Sequence, residues 1–281
     1  WVTSRKVEER LVSELQTDVS LRVENTESPD KWVVSGRGEL HLSILIETMR
    51  REGYELQVSR PEVIIKEIDG VACEPFERVQ IDTPEEYQGS IIQALSERKG
   101  DMLDMQITGN GQARLIFLVP ARGLIGFTTE FMSMTRGYGI MNHTFDQYLP
   151  AVKGEIGGRH RGSLISMDSG QVTSYAMGYV QERGQLFVDA GTEVYGGMIV
   201  GEHSRDNDLT VNITKMKQQT NVRSSNKDST SVLNTPKILS LEESLEFLGD
   251  DDYLEVTPES IRLRKQILDK AMREKSTKKK K

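Results

Sequence analysis

Phe76-Glu77-Arg78-Val79-Gln80-Ile81-Asp82-Thr83-Pro84-Glu85-Glu86-Tyr87-Gln88-Gly89-Ser90-Ile91-Ile92-Gln93-Ala94-Leu95 is the stretch on which the fold is decided. Residues 76–81 read as a strand. Thr83 then reads as a helix N-cap, Pro84 as the first helical residue and the following glutamates as the acid of a capping box. Tyr87, Ile91 and Leu95 make an apolar stripe that Gly100 ends. Two strands joined at Thr108-Gly109-Asn110-Gly111, a second helix and a last strand follow, which is the split βαβ order of a ferredoxin-like module.

The residues before this module repeat the order with one strand fewer. Val7, Leu11 and Leu15 predict a helix behind Thr3 or Ser4, and Val19, Leu21 and Val23 alternate as a strand. A turn over Asn25 to Asp30, a strand at Trp32 to Val34, a helix carrying Leu42, Leu45, Ile46 and Met49, and a strand at Tyr54 to Val58 complete it. The missing first strand is expected upstream of Trp1. After Pro150 short β-like runs are punctuated by Gly162, Gly170, Gly184, Gly191 and Gly196-Gly197, predicting a β-rich domain. Ser240 with Glu243 forms a capping box, and Thr257-Pro258 is expected to open a last basic helix. The fold class is therefore α+β: two ferredoxin-like split βαβ modules, the first lacking its first strand, followed by a β-rich C-terminal domain.

Charge narrows the partners. The 281-residue chain carries a net −7, but screening beyond about 8 Å makes local patches outweigh the total. From Ile261 onward ten basic residues face only Asp269 and Glu274, whereas Leu241 to Glu255 carries seven acids and no Lys or Arg. The Asp250-Asp251-Asp252 run reads as a solvated acidic turn, and no apolar run approaches the ~18 residues of a membrane span. The opening residues lack the apolar core of a secretory signal, and the single Cys73 has no disulfide partner in the chain, so a cytoplasmic setting is expected.

No nucleophile, base and metal set is visible: there is no Gly-x-x-x-x-Gly-Lys-Ser/Thr loop, and four scattered histidines offer no zinc site. Catalytic and metal residues are accordingly expected to be none. Anion contacts are the better candidates. Arg37 in Ser35-Gly36-Arg37-Gly38-Glu39-Leu40-His41 and Arg122 in Pro120-Ala121-Arg122-Gly123-Leu124-Ile125-Gly126 each sit where a strand meets a helix, and Arg136 closes the helix after Arg122. The competing reading is that these glycines serve tight turns and packing. Arg159, Arg161, His203 and Arg205 fall at strand ends. Asn212 to Ser231 is a long polar stretch in which Lys215, Lys217, Arg223 and Lys227 are interspersed with Asn212, Thr214, Gln218, Gln219 and Asn221, a mixture suited to phosphate and 2′-hydroxyl contact. It contains no aromatic residue on which a base could stack.

Ser35-Gly36-Arg37-Gly38-Glu39-Leu40-His41-Leu42, Met49-Arg50-Arg51-Glu52-Gly53, Ser59-Arg60-Pro61, Pro120 to Phe127 and Gly201-Glu202-His203-Ser204-Arg205 together resemble the TypA/BipA family of ribosome-associated translational GTPases. The first two modules also resemble parts of elongation factor G, and the segment after Pro150 resembles TypA/BipA alone. The resemblance implies four parts: residues 1–62 like elongation factor G domain III, 63–150 like its domain V, 151–270 the family-specific domain, and 271–281 a basic tail. It implies that the GTPase domain, with its GTP and Mg, lies upstream, so that no cofactor is held here and this portion is not itself an enzyme. It further implies a monomer in ribosome function, assembly or stress adaptation that contacts rRNA and the acceptor end of A-site tRNA. Arg159, Arg161, Arg205, Lys215, Lys217, Thr220, Asn221, Arg223 and Lys227 are the nucleic-acid-binding candidates. Gln218, Asn226 and Thr128 stand where the family commonly has Lys, Gly and Arg. A stand-alone anion-binding enzyme and a protein-interaction scaffold are the alternatives.

Overall fold

The computed structural model describes residues 3–154, 156, 161–216 and 232–280. These form two compact units, one of Trp1–Arg60 with Arg159–Lys281 and one of Pro61–Gly158.

The first unit begins with α1 (Ser4–Thr17), β1 (Arg22–Asn25), β2 (Trp32–Ser35), α2 (Glu39–Arg51) and β3 (Leu56–Val58). Thr3 caps α1 by accepting the Lys6 N–H. Val19, read as part of a strand, lies instead in the turn before it and is almost wholly exposed, because Asp18 ends α1 and folds onto Ser20. The helices bury Val7, Leu11, Leu45 and Met49 with Leu21 against the β1–β2 hairpin. β3 does not join that hairpin. It pairs antiparallel with a strand some two hundred residues later, Leu254 opposite Val58.

The second unit contains β4 (Lys66–Ile68), β5 (Val71–Pro84), α3 (Gln88–Glu97), β6 (Asp101–Thr108), β7 (Gln112–Pro120), α4 (Ala121–Leu124), α5 (Phe127–Met134) and β8 (Ile140–Pro150). β5 is flanked by β7 and β8, and β6 lies outside β7, all antiparallel: the strand order of a ferredoxin-like sheet. Val79, Ile81, Leu115 and Phe117 face Ile91, Leu95, Phe127 and Phe131 of the helices, each large apolar side chain contributing about 1.5–3 kcal/mol through burial. The expected helix start shifts. β5 stays paired through Thr83 and Pro84, so Thr83 is buried in the sheet and Glu85–Tyr87 form one tight turn ahead of α3. No capping box forms there.

The first unit resumes with β9 (Ser163–Ser166), β10 (Gly170–Gln171), α6 (Ser174–Val180), β11 (Gly184–Leu186), β12 (Glu193–Val194), β13 (Ile199–His203), β14 (Leu209–Val211), α7 (Leu241–Phe247), β15 (Asp252–Val256), β16 (Ile261–Lys265) and α8 (Lys270–Lys280). The main sheet runs β11-β13-β9-β14, with β14 parallel to β9 and the other pairs antiparallel. Alternate residues feed two cores. Leu164, Leu186 and Val200 pack with Met177 and Val180 of α6. Ile199 packs with Leu245, Leu254 and Leu263, where Ile46 of α2 and Leu56 and Val58 of β3 also insert.

The Ser240–Glu243 capping box of α7 is present. The last basic helix does not open at Thr257-Pro258. Ile261, Leu263 and Lys265 alternate toward the core, so this segment is β16, and Thr257 closes the β15–β16 turn by bonding Ser260. Asp269 caps α8 by accepting the Met272 N–H. Among the described residues no helix is long and apolar enough to cross a membrane, and no three His, Cys, Asp or Glu residues cluster to hold a metal ion.

Candidate nucleic-acid interface

Arg161 and Arg205 meet at one end of the main sheet. The Gly162 N–H donates to the Arg205 carbonyl and the His203 N–H to the Gly162 carbonyl, both at 2.7 Å. A Cβ on Gly162 would stand 2.1 Å from the Asn207 carbonyl oxygen, so only glycine admits this crossing. The Ser163 N–H donates to Asp208 at 2.7 Å, and the other Asp208 oxygen lies 2.6 Å from the Lys265 ammonium. Lys265 is 1% exposed and also meets Asp251 and Asp252 at 3.0 and 2.8 Å, which stabilises its charged form against burial. Lys265, one of the ten basic residues from Ile261 onward, is therefore an internal clamp. Asp252, read as part of a solvated turn, is fully buried for the same reason.

The loop held by that clamp presents Arg205 to solvent, with Arg161 exposed and 3.8 Å from Glu202. Arg183 joins them: its carbonyl accepts the Ser204 N–H at 2.8 Å, and its side chain is exposed. Nothing in the Gln181-Glu182-Arg183-Gly184 run distinguished this arginine by itself; Gly184, whose Cβ would lie 1.9 Å from the Glu202 carbonyl oxygen, was the available signal of a close strand crossing. Glu182, Glu202 and Asp206 interleave with these arginines, so among the described residues this end offers individual guanidinium contacts and no broad positive field.

Lys215 lies at the other end of the sheet. β14 runs parallel to β9 from Leu209 beside Leu164 to Val211 beside Ser166, which carries the chain away from Arg205. There the Thr173 hydroxyl caps α6 and donates to the Lys215 carbonyl at 2.5 Å. At the far end of α6, Gln181 donates to the Val232 carbonyl at 3.1 Å and accepts the Asn234 N–H at 2.9 Å. The polar basic stretch thus departs from and returns to the two ends of one short helix. Arg159, Lys217, Thr220, Asn221, Arg223 and Lys227 lie outside the described residues.

Two expected anion contacts, Arg122 and His203, have internal employment. Arg122 donates through Nε and Nη2 to Glu74, a carboxylate with no exposed surface, and also binds the carbonyls of Val152 and Gly154. The neighbouring Gly123 is required by packing, since a Cβ would stand 2.9 Å from the Arg98 carbonyl oxygen. His203 is 4% exposed and its Nδ1 bonds the Asn207 carbonyl at 2.5 Å. Arg37 has an exposed side chain, but its N–H donates to His41 Nδ1, and a Cβ on Gly36 would stand 2.8 Å from that atom. His41 Nε2 bonds Asp18, whose carboxyl is held at about 2, first by the Ser20 hydroxyl and then by the Ser20 N–H and His41. Arg136 is exposed at the end of α5, in a left-handed conformation.

Comparison with known proteins follows this architecture closely. Sequence models match at residues 2–60 for elongation factor G domain III, at 71–156 for the elongation factor G C-terminus and at 161–270 for the TypA/BipA C-terminal domain. The chain is 68% identical over all 281 residues to the large ribosomal subunit assembly factor BipA of Bacillus subtilis (strain 168), covering 46% of that protein. It is 54% identical over 268 residues to the protein of the same name from Haemophilus influenzae and 50% over 265 to that of Synechocystis, covering 95% and 94% of this chain and 44% of each relative. It spans about half the length of these relatives. Two α+β modules of elongation-factor-G type joined to a β-rich domain define a translation-factor-like protein. The chain belongs to the TypA/BipA family and corresponds to its C-terminal domains.

Proposed function

We propose that this chain is the RNA-contacting portion of a translational GTPase that acts on the ribosome, in assembly of its large subunit. GTP hydrolysis, with its Mg, belongs in this reading to a domain upstream, and the residues here hold and orient the factor. The observation that carries the reading is the anchoring of both ends of a lysine-rich polar segment on α6, which presents Lys215 to solvent. The names of the relatives support the partner.

In this reading Lys215, with Lys217, Thr220, Asn221, Arg223 and Lys227, contacts rRNA and the acceptor end of A-site tRNA, and Arg159 is a further phosphate contact, whereas Arg161 and Arg205, now with Arg183, touch phosphates at the opposite end of the sheet. The factor works as a cytoplasmic monomer. Sedimentation of the chain with purified large ribosomal subunits tests it. The chain is expected to pellet with intact subunits and to stay in the supernatant once their RNA has been digested by ribonuclease; co-sedimentation that survives digestion would favour a protein partner and contradict the proposal.

A further inference from the structure

A cleft of about 560 Å³ opens in the first unit between the turn after β9 and the start of α8. Met167 and Ser169 line it from the turn, Lys270 and Arg273 from the helix, and Thr210 from β14. Several of its polar groups are spent on the fold. Ser166 donates to the Asp168 carbonyl at 2.8 Å and Tyr195 to Glu255 at 2.6 Å. Asp269, the acid of the lining, accepts the Met272 N–H at 2.8 Å, so α8 enters the cleft already capped and the attraction for an anion comes from side chains.

Those side chains are cations and hydroxyls. Lys270 is 54% exposed and stands 4.0 Å from Glu274, beyond hydrogen-bond reach. Arg273 is held at the cleft by donating to the Ile267 carbonyl at 2.9 Å and to that of Leu268. The Ser169 hydroxyl accepts the Gly196 N–H at 3.4 Å and can still donate its own proton. Such a lining fits a sugar–phosphate chain, with the cations on phosphate oxygens and the hydroxyls on ribose.

A small phosphorylated molecule would share that chemistry, and position favours RNA. The turn that walls the cleft is tied to the strand leading to Lys215: the Met167 N–H donates to the Val211 carbonyl at 2.9 Å and the Asn212 amide to Asp168 at 3.3 Å. Just beyond β10, Thr173 holds the Lys215 carbonyl. The cleft and Lys215 therefore share one end of the main sheet, away from Arg161 and Arg205.

We propose that this cleft is a second contact for the RNA strand at Lys215, taking a phosphate at Lys270 and Arg273 and its ribose at the hydroxyls of Ser169 and Thr210. The proposal rests on the RNA-binding reading above and adds to it a site at α8.

Sedimentation of the full chain with purified large ribosomal subunits across a salt series tests it. Lys270→Ala should bind more weakly at low salt, with a slope of log K against log salt shallower by about 0.7–0.9, as should Lys215→Ala. Lys275→Ala removes an exposed α8 cation outside the cleft and should leave both quantities unchanged. Thr210→Val keeps the shape, loses the hydroxyl and should weaken binding about 2- to 10-fold at an unchanged slope. All four variants should melt like wild type. An iron chelate tethered at Met167→Cys should cleave rRNA beside the cleft; the natural Cys73 is buried, so the probe goes to the introduced thiol.

If Lys270→Ala binds like wild type while Lys215→Ala is impaired, the cleft is refuted and the RNA-binding reading stands. Equal losses in Lys270→Ala and Lys275→Ala would mean diffuse attraction to α8 and overturn the site, and Thr210→Val at wild-type affinity overturns the ribose contact. Weakened binding without rRNA cleavage from position 167 would put a protein in the cleft, against the proposal. Inorganic phosphate bound by the free chain through Lys270, with subunit binding untouched in Lys270→Ala, would assign the cleft to a small phosphorylated molecule instead. Failure of the wild type to bind the subunits overturns both readings.

Discussion

Each compact unit buries an ion pair of which one member has almost no exposed surface, and the two solve the problem differently. In the unit of residues 61–158 the buried group is the Glu74 carboxylate, answered by Arg122 and by the Val152 N–H at 2.7 Å. In the other unit it is the Lys265 ammonium, answered by Asp208, Asp251 and Asp252. Arg122 is 24% exposed and also holds two carbonyls, so it remains solvated if its carboxylate is lost. Asp252 has no exposed surface and depends on Lys265 much more heavily. The difference teaches that a cation's place in the sequence says little about whether it faces water. Arg122 stood among the anion-contact candidates and Lys265 in the basic stretch from Ile261, and both are internal ties that fix a loop.

The largest expected effect sharpens that contrast. Lys265→Ala takes the ammonium away from three carboxylates, one of them with no exposed surface, and should destabilise the unit containing it by about 3–5 kcal/mol, while residues 61–158 keep their protection in hydrogen exchange. Equal loss of protection in both units would contradict the separation. Glu74→Ala should act in the reverse place and more weakly, by about 3 kcal/mol, because Arg122 can turn to solvent; urea denaturation followed by exchange would register it.

Another acid, Glu39, has no counter-ion among the described residues. The Glu39 carboxyl at the start of α2 is pushed up to about 7, first by burial and then by Glu246 on α7. One of its oxygens has no hydrogen-bond partner among the described residues. Because the folded-state value lies above the ordinary 4.5, its contribution to stability is fully present below that pH and is lost as pH rises through 7. Glu39→Gln should therefore stabilise the protein at pH 8, by about 2 kcal/mol, and change little at pH 4. Thermal melting at the two pH values checks this, and equal shifts at both would refute the assignment. Smallest of all, Arg161→Ala and Arg205→Ala should change stability by less than about 0.5 kcal/mol while each lowers the salt slope of RNA binding by about 0.7–0.9. A marked loss of stability would mean these arginines are structural ties too.

Local periodicity carried much of the fold. The stripe Ile91 and Leu95, the alternation Val79 and Ile81, and the Ser240–Glu243 box each encode their element within a few residues, and the α+β architecture followed from their order. What escaped was non-local. The β3–β15 pairing joins Val58 to Leu254, and no short window contains both. β16 was misread because its basic residues and the preceding Thr257-Pro258 looked like a helix start, although Ile261 and Leu263 already alternated. The site shows the same division. Gly123 was legible as a close approach, yet which chain approached was not. Arg122 and Lys265 differ from Arg205 only through partners that lie 48 residues away for Arg122 and in the 204–208 loop and the β15 turn for Lys265.

The salt dependence of binding to purified large ribosomal subunits tests the central claim most directly, comparing the wild-type chain with a variant in which Lys215, Lys217, Arg223 and Lys227 are all Ala. If the segment anchored on α6 meets RNA phosphate, the variant should bind more weakly at low salt, and its slope of log K against log salt should be shallower by about 3. Parallel lines for the two proteins would contradict the account.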